Sequence, residues 1–244
     1  MKTLSISLTC CRRPEYLQQV LDAISKADKS DIDIKLFTSV DKIDPKVVEI
    51  ASSYQSVNIG YLNINDPPIG CNQNTKRAIQ IAHQSGHSPY ILHLEDDTVP
   101  TLDCFQFFMY AFEKYSEDPR TISIGGYNKT EDMEDEKIYG TFSEPFFSAW
   151  GCGFWSHKLD IIYNNWTPSK INGGVSWDSH LSDILFEKQK YLQVRPTISR
   201  IQNIGAEKGT WVMDSMWHYY NHRSPFLSND FTGNIDWKNY AENN

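Results

Sequence analysis

The first hundred residues alternate between short apolar runs and amphipathic stretches, and no other feature constrains the fold as tightly. Residues 4–9 read as a strand. Arg12-Arg13-Pro14 then opens a helix to about residue 27, with proline in the first turn, where a missing N–H does no harm. Residues 32–40 read as a second strand ending at Asp41, followed by a helix near 45–54 and a third strand at 57–64. Asn65-Asp66-Pro67-Pro68 is a turn, 72–84 is a helix carried by Ala78, Ile79 and Ala82, and 90–94 is a fourth strand. Strands separated by helices imply right-handed crossovers, hence an α/β fold whose central sheet is mostly parallel and flanked by helices. In such sheets ligands bind beyond the carboxyl ends of the strands.

Two strand ends deliver acid to that edge. One is Asp41. The other is Glu95-Asp96-Asp97, directly after the apolar run Tyr90-Ile91-Leu92-His93-Leu94. Hard cations such as Mg²⁺ and Mn²⁺ favour oxygen ligands and bind through one or two carboxylates while sharing substrate phosphates. The pattern therefore points to nucleotide-diphosphate chemistry. Composition narrows the rest. With 244 residues, 40% of them hydrophobic, the chain has room for a sizeable core. A net charge of −8 argues against broad binding to nucleic acid or anionic membranes. Five cysteines without a Cys-x-x-Cys spacing suit a reducing compartment, and no apolar run approaches the ~18 residues of a membrane span. The N-terminus has too short an apolar stretch for a secretory signal, so the expected location is the cytosol of a bacterium or of a virus-infected host.

The second half is less regular. A helix after Pro100 carries Phe105, Phe108, Phe112 and Tyr115 at helical spacing as a core stripe. Residues 130–137 hold five acids and read as a solvated loop. Between Phe146 and Trp155, aromatics alternate with close glycines, which suits either a glycine-punctuated bend in the core or a platform for a sugar or base. Trp177-Asp178 starts a helix running to about residue 190, with Asp178 either its N-cap or a general base facing a pocket. Val194-Arg195-Pro196 ends a strand, and 199–205 reads as a loop able to close over a diphosphate. The pairs His83/His87 and His218/His222 lack the glutamate of a His-Glu-x-x-His zinc site. A single domain is expected over 1–244: a nucleotide-binding half at 1–100, an acceptor and catalytic half at 101–223, and a C-terminal extension at 224–244.

The ordered set of these pieces resembles the GT-A-type glycosyltransferases, and within them the N-acetylglucosaminyltransferase I family. Glu95-Asp96-Asp97 matches the family's acidic motif. Phe146-Phe147 with its following glycines resembles an aromatic, glycine-rich segment. Trp177-Asp178 matches a Trp-Asp motif, and Arg195-Pro196-Thr197-Ile198-Ser199-Arg200 resembles an Arg-Pro-Glu-Ile-Ser-Arg stretch. The resemblance implies that Asp97 ligates Mn²⁺ (or Mg²⁺), that Asp96 sits near the ribose or donor sugar, and that Arg12 or Arg13 and Asp41 hold the nucleotide. It implies Asp178 as the base that deprotonates the acceptor. Thr9, Asn74, Arg77, Glu95, Trp150, Gly151, Trp177, Ser199 and Arg200 complete the implied nucleotide-sugar site, with residues 199–209 as a lid. Three departures stand out: Asn74 replaces a nucleotide-contacting histidine, Ser179 replaces a second acid, and the Golgi anchor is absent.

The expected activity is metal-dependent, inverting transfer of a sugar from a nucleotide-diphosphate donor, a UDP-sugar such as UDP-N-acetylglucosamine, to an acceptor hydroxyl of open class. Two rivals remain at this level. A sugar-1-phosphate nucleotidyltransferase normally carries a glycine-rich loop after its first strand, where this chain has Cys10-Cys11-Arg12-Arg13-Pro14. The other rival is a non-catalytic carbohydrate-binding relative.

Overall fold

Strand β1 (Lys2–Cys10) sends Leu4, Ile6 and Leu8 to one face of the sheet and Ser5 and Ser7 to the other, all of them buried. This period of two, repeated in β2 (Ile32–Asp41) and β4 (Tyr90–Glu95), builds a core on each face. The computed structural model describes residues 1–54, 58–129, 140–166 and 176–205. Helix α1 (Pro14–Lys26) lays Leu17, Val20, Leu21 and Ile24 onto the leucine face, where each fully buried aliphatic side chain contributes roughly 1.5–3 kcal/mol. Helix α2 (Pro45–Ser53) starts at Asp44, whose carboxylate accepts the Lys46 N–H at 2.9 Å, with Pro45 in the first turn. Helix α3 (Cys71–Gly86) covers the serine face through Ile79 and Ala82. It lies so close that a Cβ at Gly86 would meet Ser5 Oγ at 2.0 Å.

Four parallel strands form one side of the sheet in the order β3 (Asn58–Asn65), β2, β1, β4. The chain then builds β5 (Thr98–Pro100), helix α4 (Cys104–Lys114), β6 (Thr121–Gly125), β7 (Thr141–Glu144), β8 (Cys152–Trp155) and helix α5 (Leu159–Asn164). The sheet continues β4-β8-β6-β9-β7, with β9 at Leu192–Pro196, parallel at β6–β9 and antiparallel at the other three junctions. Phe105, Phe108 and Phe112 of α4 are buried in the leucine-face core, as their spacing predicts. Among the described residues no helix is long and apolar enough to cross a membrane.

Three expectations change. The aromatic stretch 146–155 is only half a bend: its last four residues are β8, a central strand wedged between β4 and β6. The helix after Ser176 is regular only over α6 (Trp177–Leu181), then widens into π-type turns over Ser182–Lys188, short of residue 190. Residues 199–205 are not an open loop. Ile201–Asn203 form β10, paired antiparallel with β5, because Ile201 is buried and the ladder satisfies the backbone. Of the predicted lid, 199–205 is therefore mostly interior, and 206–209 lies outside the described residues, as do the acidic stretch 130–137, the pair His218/His222 and the extension 224–244.

Candidate active site

Strand order reverses between β1 and β4: the chain runs outward through β2 and β3, then returns to β4 on the other side of β1. At such a reversal the connections diverge to opposite faces and leave a crevice at the carboxyl ends. Thr9 of β1 lies there, in register with Ser39 of β2 and Glu95 of β4. Beyond Glu95 the chain turns at once into β5, held by Thr98, whose hydroxyl accepts the Glu95 N–H at 2.8 Å and donates to its carbonyl at 2.9 Å. Asp96 and Asp97 occupy that turn, 3% and 5% exposed.

Arg13, the residue before α1, spans both. Nη1 pairs with Asp97 Oδ2 and Nη2 with Asp96 Oδ1. Burial opposes the guanidinium charge, but the two carboxylates outweigh it and hold the pKa raised. The opposite balance governs Asp96. Burial pushes its carboxyl up to about 6, against the pull of Arg13. On the far side, the Ile204 N–H donates to the Asp97 carbonyl at 2.8 Å, and a Cβ at Gly205 would strike Asp97 Oδ2 at 2.3 Å. Two oxygens in this packing, Asp96 Oδ2 and Asp97 Oδ1, are buried without a hydrogen-bond partner. Buried acceptors left unmatched are costly and uncommon, and carboxylate oxygens of this kind suit a hard cation. Among the described residues no three His, Cys, Asp or Glu side chains converge into a metal cage. Two carboxylates completed by phosphate and water are nonetheless an ordinary set for Mg²⁺ or Mn²⁺. The residues fit such an ion shared with a diphosphate.

Arg12 is exposed on the same loop. Asp41, at the end of β2, turns inward: Oδ1 accepts from Asn65 Nδ2 (2.9 Å) and the Ile69 N–H (3.2 Å), and Oδ2 from the Gly70 N–H (2.8 Å). Asn65 also donates to Asn74 Oδ1 (2.9 Å), Ser39 donates to the same oxygen (2.6 Å), and exposed Arg77 donates to Asn65 Oδ1 (2.6 Å). Asp41 and Asn74 thus fix the turn that leads into α3. Arg77 also lines a shallow cavity of about 230 Å³ with Ile69, Gln73, Lys76 and Gln80.

On the other side of the crevice Trp177 is 2% exposed and stacks on Trp166 (5.1 Å, 9°), with edge contacts to His93 and Phe147. Its backbone N–H donates to Asn72 Oδ1 at 3.1 Å, tying α6 to the start of α3. Trp177 is therefore a core side chain that positions its neighbour. The helix cap is Ser176, so Asp178 does not cap α6 and is half-buried in its first turn. The Asp178 charge reaches the acid cluster: Glu95 is raised well above the usual carboxylate range by burial first, then by Asp97 and Asp178. The structure thus brings together Thr9, Arg13, Glu95, Asp96, Asp97 and Asp178.

Trp150 and Gly151 precede β8, whose antiparallel register with β4 (His93 opposite Cys152) carries them alongside the end of β4. Gly151 has φ +64, and a Cβ there would meet Ile201 at 2.4 Å. Trp150 packs against Tyr127 with ring centroids 4.8 Å apart. Tyr127 went unnoticed in the sequence, although it follows the end of an apolar strand just as Asp41 does. Asn72 carried no signal beyond its place in the first turn of a helix. Ser199 and Arg200 are both buried. The Ser199 hydroxyl exchanges hydrogen bonds with the backbone of Asn128 (2.9 and 3.1 Å), and Arg200 is fully buried on Asp103 (2.7 Å).

His93 lies beneath Glu95 on the same face of β4. Ser7 Oγ meets its Nδ1 at 2.9 Å, and its Nε2 is buried without a partner. Burial holds its pKa down to about 3, with Ser7 opposing. The unfolded chain takes up a proton near pH 6.5 that the native imidazole refuses, so this contribution is complete above pH 6.5 and shrinks as pH falls. Between pH 6.5 and 5, His93→Phe is expected to lose about 2 kcal/mol less stability than the unsubstituted protein, measured by urea unfolding at each pH.

No protein-family model matches the sequence, and no curated protein matches it. Solved structures do. TarS of S. aureus, residues 1–349, superposes with a TM-score of 0.55 at 14% identity over 82% of this chain and 59% of that one. The same fragment in complex with UDP-GlcNAc gives 0.55 at 12% over 82% and 57%. A mannosyltransferase of Pyrobaculum calidifontis, PcManGT, in complex with GDP-Man and Mn²⁺, gives 0.51 at 12% over 80% and 54%. The chain spans less than two thirds of the length of each of these proteins. The architecture is a GT-A-like α/β fold, a large central sheet flanked by helices.

Proposed function

We propose that the protein transfers a sugar, with inversion, from a nucleotide-diphosphate donor to an acceptor hydroxyl, using a divalent cation. One observation carries the reading. At the sheet's reversal point, Asp96 and Asp97 leave buried oxygens unmatched, and the charge of Asp178 is felt at Glu95 beside them. The fold it shares with structures holding UDP-GlcNAc and GDP-Man supports a nucleotide-sugar donor, and UDP-N-acetylglucosamine is the first to test.

Asp97, with Asp96, would hold the cation, which when bound supplies Lewis-acid neutralisation of the departing diphosphate. Asp178 accepts the proton of the acceptor hydroxyl, whose oxygen attacks the anomeric carbon on the face opposite the diphosphate. The anomeric C–O bond breaks with its electron pair going to the diphosphate. One carboxylate base without a covalent nucleophile yields an inverted product. Asp41 and Asn74 hold the turn into α3 that walls the nucleotide side, and Trp150 with Tyr127 offers aromatic surface beside the donor sugar.

Calorimetric titration of UDP in the presence of Mn²⁺ tests the reading. Asp97→Ala is expected to weaken Mn²⁺-dependent UDP binding at least tenfold, about 1.4 kcal/mol. Equal affinity in the variant removes the metal assignment, and absence of UDP binding to the unsubstituted protein removes the donor assignment.

A further inference from the structure

The guanidinium of Arg13 already sits on the carboxylates that a divalent ion would need. Its planar fork sets one nitrogen on Asp96 and the other on Asp97, the two-pronged geometry a guanidinium favours. The side chain is 15% exposed, so it reaches the crevice but draws little hydration there. Nearby, the Tyr16 ring centroid lies 5.8 Å from the guanidinium carbon. No other cation is paired with Asp96 or Asp97 among the described residues. Arg13 is thus the built-in counter-ion of the cluster, and Asp96 Oδ2 and Asp97 Oδ1 are what it leaves over.

We propose that Arg13 competes with the divalent ion for Asp96 and Asp97, and that a diphosphate relieves the competition by giving Arg13 a new anionic partner. The proposal rests on the donor assignment above, but its first half concerns this chain and the ion alone. A divalent cation arriving at Asp97 Oδ1 shares a carboxylate whose other oxygen Arg13 already holds, and two cations on one buried carboxylate repel each other. The ion by itself therefore binds weakly. A diphosphate entering beside the first turn of α1 presents the oxygens a guanidinium fork prefers. Arg13 moves from carboxylate to phosphate, and the ion takes its place. Ion and nucleotide then tighten one another by the same factor, as linkage requires. This separates Arg13 from Arg12, which is exposed on the same loop and is not engaged with the acids.

The test uses the full chain and two probes, Mn²⁺ and UDP, titrated singly and together by calorimetry. Arg13→Gln removes the charge, and Arg13→Lys keeps a charge without the planar fork. Arg13→Gln is expected to bind Mn²⁺ alone at least tenfold more tightly than the unsubstituted protein, with Arg13→Lys in between. Mn²⁺ alone is also expected to raise the melting temperature of both variants more than that of the parent, since both lose the planar fork that offsets two buried carboxylates. The factor by which UDP tightens Mn²⁺ is expected to fall at least tenfold in Arg13→Gln. Unchanged or weaker Mn²⁺ affinity in both variants overturns the competition, whatever UDP does. Tighter Mn²⁺ binding with an undiminished UDP effect overturns the exchange of partners. Failure of UDP and Mn²⁺ to bind the unsubstituted protein together defeats the donor assignment and the exchange, and the ion-only comparison still decides the competition.

Discussion

Asp178→Asn is expected to lower donor turnover by 10²–10⁴-fold, on the order of what a positioned general base supplies, while leaving the affinity for UDP with Mn²⁺ within about twofold. The substitution is nearly isosteric, and the packing around Asp178 is set by its neighbours. Ser176 holds the N-cap position with its hydroxyl on Ser179 Oγ at 2.9 Å, Trp177 is locked between Trp166, His93 and Phe147, and its N–H is held by Asn72. What disappears is the proton acceptor. One further consequence follows from charge: Glu95, raised by burial, then by Asp97, Asp178 and Asp96, loses one of its four upward pressures. Its carboxyl should titrate lower in the variant, readable by difference infrared spectroscopy with pH. UDP release from UDP-N-acetylglucosamine, with water as the default acceptor, gives the rate. Unchanged turnover removes Asp178 as the base, and weakened UDP binding places it against the donor.

The first half of the fold was legible because its rules are local. Pro14, and Asp44 with Pro45, mark helix starts, and the alternation in β1, β2 and β4 reports which face is buried. Strand ends were equally readable, so Asp41 and Glu95–Asp97 were found at the correct edge. The sequence could not say which way a carboxylate turns once there. Asp41 spends its oxygens on Asn65, Ile69 and Gly70, while Asp96 and Asp97 keep one each unmatched. The second half was harder because β6, β7 and β8 are only four or five residues long. A four-residue apolar segment such as Cys152–Trp155, buried on both faces, has no periodicity to report. Long-range pairing was invisible too. Arg13 meets Asp96 and Asp97 across more than eighty residues, and Arg200 meets Asp103 across 97.

That last pair carries the second large effect, and it is one of stability. Arg200→Leu is expected to destabilise the fold by about 3–5 kcal/mol, the typical penalty for stripping one partner from a buried ion pair. Such a loss is a large fraction of the 5–15 kcal/mol that holds a typical protein together. Arg200 has no exposed surface. Its Nε donates to Asp103 Oδ2 at 2.7 Å, its Nη1 to the Ile198 carbonyl at 2.6 Å, and its backbone carbonyl accepts from the Thr101 N–H at 3.0 Å. Asp103, 5% exposed, keeps the Thr101 hydroxyl at 2.8 Å but loses the cation that offsets its buried charge. Pairing the change with Asp103→Leu removes the stranded carboxylate, so the double variant should recover a good part of the loss. Urea unfolding of both variants checks the order. The same experiment separates a staple from a donor ligand. Arg200 joins β10 to β5 beside the turn of Asp97, and a staple there costs stability without changing what the folded molecule binds. UDP affinity of the folded double variant in Mn²⁺ is expected to stay within about threefold of the parent, under 1 kcal/mol. A double variant that is stable but has lost UDP would put the Arg200 guanidinium on the donor.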